Sequence, residues 1–117
     1  MMQDKKIGFV GAGNMAGALI KGLLHSGTVT ADQILASDVR DERLAELADE
    51  HGIATTKDNA KLAAWADVVV LAVKPQVIDK VIVAIGKAIT PRALVVSIAA
   101  GVPIEALEAR LPRDARV

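Results

Sequence analysis

The sequence predicts an α/β fold, in which residues 1–117 form one doubly wound parallel β-sheet with helices on both faces. Strand-like and helix-like segments alternate from one end of the chain to the other, which is typical of β-α-β units with right-handed crossovers. The apolar run at residues 67–73 is rich in β-branched side chains, as expected for a strand buried on both faces of a parallel sheet. The predicted strand order is 3-2-1-4-5-6, with the sixth strand only begun.

Each element follows from hydrophobic spacing and from glycine or proline at its ends. In order, we predict a strand at 7–10, a helix that ends at Gly27, a strand at 33–37, a helix at 41–50 that ends at Gly52, a strand at 53–55 and a helix at 59–65. There follow a strand at 67–73, a helix from Val77, a strand at 93–98, a helix opened by Pro103 and the start of a strand at 116–117. The first helix is predicted because six apolar residues recur at helical spacing: Met15, Ala16, Leu19, Ile20, Leu23 and Leu24.

The composition argues against several classes of function. The 14 basic and 14 acidic residues cancel, and Phe9 and Trp65 are the only aromatic residues, so we expect no nucleic-acid or membrane partner. The chain has no cysteine, and His25 and His51 lie far apart without a ligand pattern, so we expect no metal site. No signal peptide and no run near the roughly 18 apolar residues of a membrane span are visible. We therefore expect a cytoplasmic protein.

The turn after the first strand contains two glycines one residue apart. Gly11 permits a tight turn, Gly13 leaves the backbone open to a pyrophosphate, and Ala16 allows the helix to pack closely on the strand. This is the strand-turn-helix context of the G-x-G-x-x-G/A dinucleotide fingerprint. The helix N-terminus also presents free N–H groups and a partial positive charge. We therefore predict a Rossmann-type dinucleotide-binding domain, although the motif alone is also compatible with an ordinary glycine-rich connection.

Two further loops are expected at the same place. In the predicted order, strands one and four lie side by side where the winding reverses, and ligands bind at their carboxyl ends. Residues 73–75, after strand four, should therefore face the glycine turn, with residues 97–101 beside them. The convergence of three loops predicts a cleft for two linked nucleotides.

The roles of three polar residues stay open at this point. Asp38 lies 22 residues past Ala16, where the fold places the carboxylate that binds the adenosine ribose, but it could instead cap the helix that begins near Asp41. Asn59 could reach the adenosine or cap the next helix, and its spacing favours the cap. Lys74 could contact a bound anion or ribose, or it could be a solvated lysine before a helix.

The predicted cleft contains little for acid–base or nucleophilic chemistry. Ser97 has no histidine near it in the pattern of a triad, and no two carboxylates are set against each other. We therefore predict no catalytic side chain in this chain. A bound cofactor would supply the chemistry, and the protein would set its orientation.

Three sequence blocks resemble pyrroline-5-carboxylate reductase, in order and with matching intervals over essentially the whole chain. They are residues 6–16, 70–76 and 95–102, with the patterns I-G-F-x-G-x-G-N-M, A-V-K-P and S-x-A-A-G. Each pattern alone is shared with related dehydrogenases, but together they are specific. The resemblance implies the last step of proline biosynthesis, in which NAD(P)H delivers a hydride to the C=N carbon of 1-pyrroline-5-carboxylate to give L-proline.

The resemblance also implies which residues bind the coenzyme. The glycine turn would bind the diphosphate, Asp38 and Asn59 would lie by the adenosine ribose, and residues 72–75 would lie near the nicotinamide half, with 99–101 beside the ring. The predicted cofactor-binding residues are Gly11, Ala12, Gly13, Asn14, Met15, Ser37, Asp38, Arg40, Asn59, Ala72, Val73, Lys74, Pro75, Ala99, Ala100 and Gly101.

Cofactor choice stays open between NADP(H) and NAD(H). Asp38 would repel a 2′-phosphate, whereas Ser37 and Arg40 could accept one, and this combination favours dual use.

Members of the resembled family continue into a helical domain that dimerises and binds the substrate carboxylate. The resemblance thus implies that this chain is the cofactor-binding domain alone, inactive by itself, of a parent that forms a homodimer or higher homo-oligomer. The alternatives are the coenzyme domain of a β-hydroxyacid dehydrogenase, which shares the G-x-G-x-M start, and a nucleotide-binding module without turnover.

Overall fold

The computed structural model describes residues 5–89 and 93–98. The strands are β1 (Ile7–Val10), β2 (Ile34–Ser37), β3 (Ala54–Thr56), β4 (Val68–Leu71) and β5 (Leu94–Ser97). The helices are α1 (Asn14–His25), α2 (Asp41–His51), α3 (Asn59–Trp65) and α4 (Ile78–Gly86), and single 3₁₀ turns at Ala31–Gln33 and Pro75–Val77 precede β2 and α4. The predicted bounds agree to within a few residues. The helix predicted from Pro103 and the sixth strand lie outside the described residues.

All five strands are parallel and lie in the order β3-β2-β1-β4-β5. The central strand β1 pairs with β2 on one side and β4 on the other, so that Val10 is aligned with both Ser37 and Leu71. This register brings the carboxyl ends of β1 and β4 together where the winding reverses. The predicted fold class and the order of the first five strands are confirmed.

Helices cover both faces of the sheet. α1 and α2 pack on one face, where Phe9 and Ile20 are buried, and α3 and α4 pack on the other, around Leu62. Neighbouring residues of β4 point to opposite faces of the sheet. Val70 packs in the core under α1 and α2, and Val69 packs in the core under α3 and α4. This two-sided burial explains the continuous apolar run of β4. No helix in the described part of the chain is long and apolar enough to cross a membrane.

The buried face of α1 is narrower than its apolar stripe. Ala16 and Ile20 are fully buried, but Met15 and Leu19 are 60% and 41% exposed. Successive helical residues are rotated by about 100°, and the line through residues 16 and 20 is the one that contacts the sheet. Residues 15 and 19 lie beside that line and face outward.

Candidate functional site

A cleft opens where β1 and β4 end side by side. The N–H of Ala72 donates to the carbonyl of Val10 over 2.8 Å, so the two chain segments leave the sheet together. The cleft has a volume of about 610 Å³, and residues 11–13 and 72–74 both line it. The structure thus brings together the two segments that the strand order predicts to be neighbours.

Gly11 makes the turn out of β1. Its φ of +98° lies in a region that L side chains rarely adopt, and its N–H donates to the carbonyl of Ser37 over 2.9 Å. A Cβ atom at position 11 would lie 2.6 Å from the carbonyl oxygen of Ala72. The protein's own backbone therefore requires glycine at this position.

Gly13 differs, because no group in the described part of the chain requires glycine there. Its φ of −74° and ψ of −169° are ordinary extended angles, and a Cβ atom would meet no described atom within 4 Å. Gly13 is also the N-cap of α1, a position that most helices give to Ser, Thr, Asp or Asn, whose side chains accept an N–H of the first turn. A bare backbone beside open space fits the close approach of an anionic group such as a diphosphate.

Asp38 connects the glycine turn to the start of α2. Its Oδ2 accepts the N–H of Ala12 and its Oδ1 accepts the N–H of Arg40, each over 2.9 Å. The Arg40 guanidinium donates to both carboxylate oxygens, again over 2.9 Å each. The Asp38 side chain is 8% exposed, whereas that of Arg40 is 56% exposed. The carboxylate is therefore held by four donors at the edge of the cleft.

The alternative in which Asp38 caps α2 is wrong. The N-cap of α2 is Arg40, and no side-chain hydrogen bond caps that helix. Asp38 instead closes a short turn before the helix and is tied to the glycine turn through Ala12. A role at the ribose stays a prediction.

The ion pair predicts a pH-dependent stability. Hydrogen bonds from the Arg40 guanidinium hold the pKa of Asp38 well below its ordinary value. Because the folded-state pKa is lowered, the stabilisation is present above the ordinary aspartate pKa of about 3.9 and is lost as the pH falls below it. We expect Asp38→Asn to lower the free energy of unfolding at neutral pH and to lower it less at about pH 3. Urea denaturation measures both values, and a difference that does not change with pH would contradict this account.

Ser37 and Asn59 meet at the ends of neighbouring elements. Ser37 is 1% exposed, and its hydroxyl donates to Oδ1 of Asn59 over 2.5 Å. The cap of α3 is the preceding residue, Asp58, whose side chain accepts the N–H of Lys61 over 3.1 Å. The predicted cap at Asn59 is therefore wrong, because Asn59 is already the first helical residue. Its side chain lines the cleft instead.

Basic side chains outnumber acidic ones around the cleft. Arg40, Lys57, Lys74 and Lys80 line it, whereas Asp38 is its one acidic member among the residues that the structure describes. This excess of positive charge favours an anionic ligand. Lys74 is exposed at the end of β4, which leaves both of its predicted roles possible.

Five lining residues outside β1 were not in the predicted site: Val39, Lys57, Val77, Lys80 and Val81. Val39 is 84% exposed and Val77 is 39% exposed. Residues 77, 80 and 81 could have been predicted from their spacing after the Lys74-Pro75 turn, because residues three and four positions apart lie on one face of a helix.

The predicted site residues after the glycine turn fall into four groups. Ser37, Asp38, Arg40, Asn59, Ala72, Val73 and Lys74 line the cleft with the glycine turn; Asn14 and Met15 are exposed in the first turn of α1 and do not line it; Pro75 follows Lys74 and begins the 3₁₀ turn. Ala99, Ala100 and Gly101 lie outside the described residues. Within residues 5–89 and 93–98, no group of three or more His, Asp and Glu side chains could hold a metal ion.

A parallel sheet of this order, with a glycine turn, an open helix N-terminus and a basic cleft at its reversal point, defines a dinucleotide-binding domain of the Rossmann type. A family model described as NADP oxidoreductase, coenzyme F420-dependent, matches residues 6–101. The chain belongs to this family.

The predicted likeness to pyrroline-5-carboxylate reductases is confirmed. The chain is 50% identical to that enzyme of Pseudomonas aeruginosa over 110 residues, which cover 94% of this chain and 40% of the relative. A solved pyrroline-5-carboxylate reductase from Coxiella burnetii matches with a TM-score of 0.88 at 34% identity, over 93% of this chain and 40% of that one. Pyrroline carboxylate reductase from Plasmodium falciparum with NADP bound matches with a TM-score of 0.81 at 25% identity, over 95% and 39%. The chain thus spans about two fifths of these proteins.

Proposed function

We propose that this chain is the coenzyme-binding domain of a pyrroline-5-carboxylate reductase, which transfers a hydride from NAD(P)H to the C=N carbon of 1-pyrroline-5-carboxylate and yields L-proline. The main support is the cleft between residues 11–13 and 72–74, which offers bare backbone and basic side chains to a diphosphate. The one carboxylate among its described lining residues is already paired with Arg40. Such a cleft is suited to holding a coenzyme rather than to acid–base chemistry.

The proposed contacts follow the order of the elements around the cleft. The glycine turn and the first turn of α1 would hold the diphosphate, the end of β2 and the start of α3 would hold the adenosine ribose, and the end of β4 would lie near the nicotinamide. These groups are Gly11, Ala12, Gly13, Asn14 and Met15; Ser37, Asp38, Arg40 and Asn59; and Ala72, Val73, Lys74 and Pro75. Ala99, Ala100 and Gly101 are proposed beside the nicotinamide ring.

The proposed chemistry makes few demands on side chains in this domain. The coenzyme, when bound, supplies the hydride, and a protonated imine is already an electrophile. The barrier is then lowered mainly by holding the donor and acceptor carbons in line. This chain contributes by fixing the diphosphate at the start of α1 and the ribose between β2 and α3, which sets where the nicotinamide lies at the end of β4.

The rest of the proposed enzyme would supply the substrate site. We propose that a helical domain beyond the matched two fifths binds the substrate carboxylate and forms a homodimer or a higher homo-oligomer, and that the enzyme acts in the cytoplasm. The helical domain and the oligomer are proposed from the likeness to the reductases, and the cytoplasm from the lack of a visible signal peptide or membrane span in the sequence.

A turnover assay of the complete protein tests the proposed function. We expect oxidation of NADPH or NADH with 1-pyrroline-5-carboxylate, and no reduction of NADP⁺ or NAD⁺ with 3-hydroxy acids. Oxidation of hydroxy acids without imine reduction would overturn the proposal in favour of a β-hydroxyacid dehydrogenase. Coenzyme binding with neither reaction would indicate a nucleotide-binding module.

Asp38 is expected to set the preference between the two coenzymes. Asp38→Ser removes the carboxylate that opposes a 2′-phosphate and releases the Arg40 guanidinium that it now holds. We expect the ratio of NADPH to NADH affinity to rise about tenfold, the effect of roughly 1.4 kcal/mol. Calorimetric titration measures both affinities, and Asp49→Ser on the exposed side of α2 is the matched control. An unchanged ratio would limit Asp38 to its structural bonds with Ala12 and Arg40.

A further inference from the structure

Arg43, on α2, holds the outer side of the glycine turn. Its Nε donates to the carbonyl of Ala12, and its Nη2 donates to the carbonyl of Gly13 over 3.3 Å. Its Nη1 pairs with Glu46 over 3.1 Å, and its side chain is 19% exposed. Ala12 and Gly13 line the cleft, whereas Arg43 does not. One guanidinium therefore holds two successive carbonyls of the turn from behind.

The direction of these two carbonyls sets the direction of the next two N–H groups. All described peptide bonds are trans, and in a trans peptide the C=O and the following N–H point in opposite directions. The carbonyl of Ala12 is turned toward Arg43, so the N–H of Gly13 is turned away from it. The carbonyl of Gly13 accepts from Arg43 and also from the N–H of Gly17 over 3.0 Å, so Arg43 and the first hydrogen bond of α1 together set the direction of the Asn14 N–H. Gly13 lines the cleft and Arg43 does not, so the N–H of Gly13 faces the cleft side of the turn, and the N–H of Asn14 follows it in the first turn of α1.

Gly17 provides the space through which Arg43 reaches the turn. A Cβ atom at position 17 would lie 2.5 Å from Nη2 of Arg43 and 3.9 Å from Cδ2 of Leu47. Glycine inside a helix is less favourable than alanine by roughly 0.5–1 kcal/mol. The space that the guanidinium of Arg43 occupies therefore explains why a residue that weakens the helix stands at position 17.

We propose that Arg43 is a positioning residue, which orients the N–H groups of Gly13 and Asn14 toward the diphosphate of a bound dinucleotide. The inference depends on the proposed function for the identity of the ligand. It predicts that Arg43 affects NADH and NADPH equally, because both carry the same diphosphate. In this it differs from Asp38, whose expected effect is on the ratio of the two affinities.

Calorimetric titration of Arg43→Met and Arg43→Lys tests the proposal. We expect Arg43→Met to weaken binding of NADH, NADPH and ADP about tenfold each, with an unchanged NADPH-to-NADH ratio. Arg43→Lys keeps the positive charge but has no planar guanidinium to bridge two carbonyls. We therefore expect it to recover less than half of the binding free energy that is lost in Arg43→Met. Full restoration by lysine, or an undiminished affinity in Arg43→Met, would overturn the proposal.

Two more variants separate binding from stability. Glu46→Gln removes the exposed partner of Arg43 but leaves both carbonyl contacts, and we expect no change in affinity. Gly17→Ala is expected to raise the melting temperature through its helix propensity and yet to weaken all three ligands about threefold, because its methyl group displaces Nη2. If Gly17→Ala leaves the affinities for all three ligands unchanged, the space at residue 17 has no role in binding.

A measurement without ligand distinguishes failure of this inference from failure of the proposed function. In the free protein, Arg43→Met should shift the amide ¹H–¹⁵N resonances of Gly13 and Asn14, whereas Glu46→Gln should leave them in place. If the parent binds neither coenzyme nor ADP, the proposed function is wrong, whatever these resonances do. If the parent binds but the resonances do not respond to Arg43→Met, the positioning role is wrong.

Discussion

Replacement of Gly13 by valine is expected to weaken binding of both NADH and NADPH at least about 100-fold, or roughly 2.8 kcal/mol. The added methyl groups would occupy the open space beside the start of α1, where the diphosphate is proposed to approach the backbone. The fold should accept the side chain, because the angles at residue 13 are ordinary and no atom of residues 5–89 or 93–98 lies within 4 Å of the new Cβ. Calorimetric titration and thermal unfolding measure the two quantities.

Gly22 is a matched control for this change. It lies inside α1 with no described atom within 4 Å of an added Cβ, but it does not line the cleft. Gly22→Val should therefore leave both affinities unchanged, and it should not lower stability, because valine has a slightly better helix propensity than glycine. If Gly13→Val folds and binds as tightly as Gly22→Val, the open space at residue 13 is not where the diphosphate lies.

The architecture was predictable because it depends on local signals that agree with one another. The apolar run at residues 67–73 indicated a strand covered on both sides, and the glycine turn after Ile7–Val10 indicated the first crossover. In a parallel sheet with right-handed crossovers, these two strands become neighbours at the reversal point. The position of the cleft therefore followed from chain order, without any knowledge of side-chain contacts.

The contacts inside the site were not predictable in the same way. Arg43 reaches Ala12 across 31 residues, and only the packing of α2 beside α1 makes the contact possible. The Asp38–Arg40 pair is local in sequence. Oppositely charged residues two positions apart are common in loops, however, so this spacing alone does not predict an ion pair. The cap of α3 was missed by one residue, because Asp58 and Asn59 are both good caps and only the observed start of the helix separates them.

Gly11→Ala is expected to have the largest effect on stability, about 4 kcal/mol less free energy of unfolding. An L residue at a φ of +98° is strained, and its Cβ would lie 2.6 Å from the carbonyl oxygen and 2.9 Å from the carbonyl carbon of Ala72. Neither atom belongs to a flexible side chain, so β1 and β4 would have to move apart where the Ala72 N–H bonds to Val10. Urea denaturation measures the loss.

Gly52→Ala isolates the contribution of that close approach. Gly52, at the end of α2, has a φ of +70°, but an added Cβ would meet no atom within 4 Å among the residues that the structure describes. Its replacement should cost roughly 1–2 kcal/mol from the backbone conformation alone. The further loss in Gly11→Ala then measures the contact between the glycine turn and the end of β4, which forms the floor of the cleft. Equal losses in the two variants would mean that this contact does not constrain residue 11, and that β1 and β4 separate freely at the site.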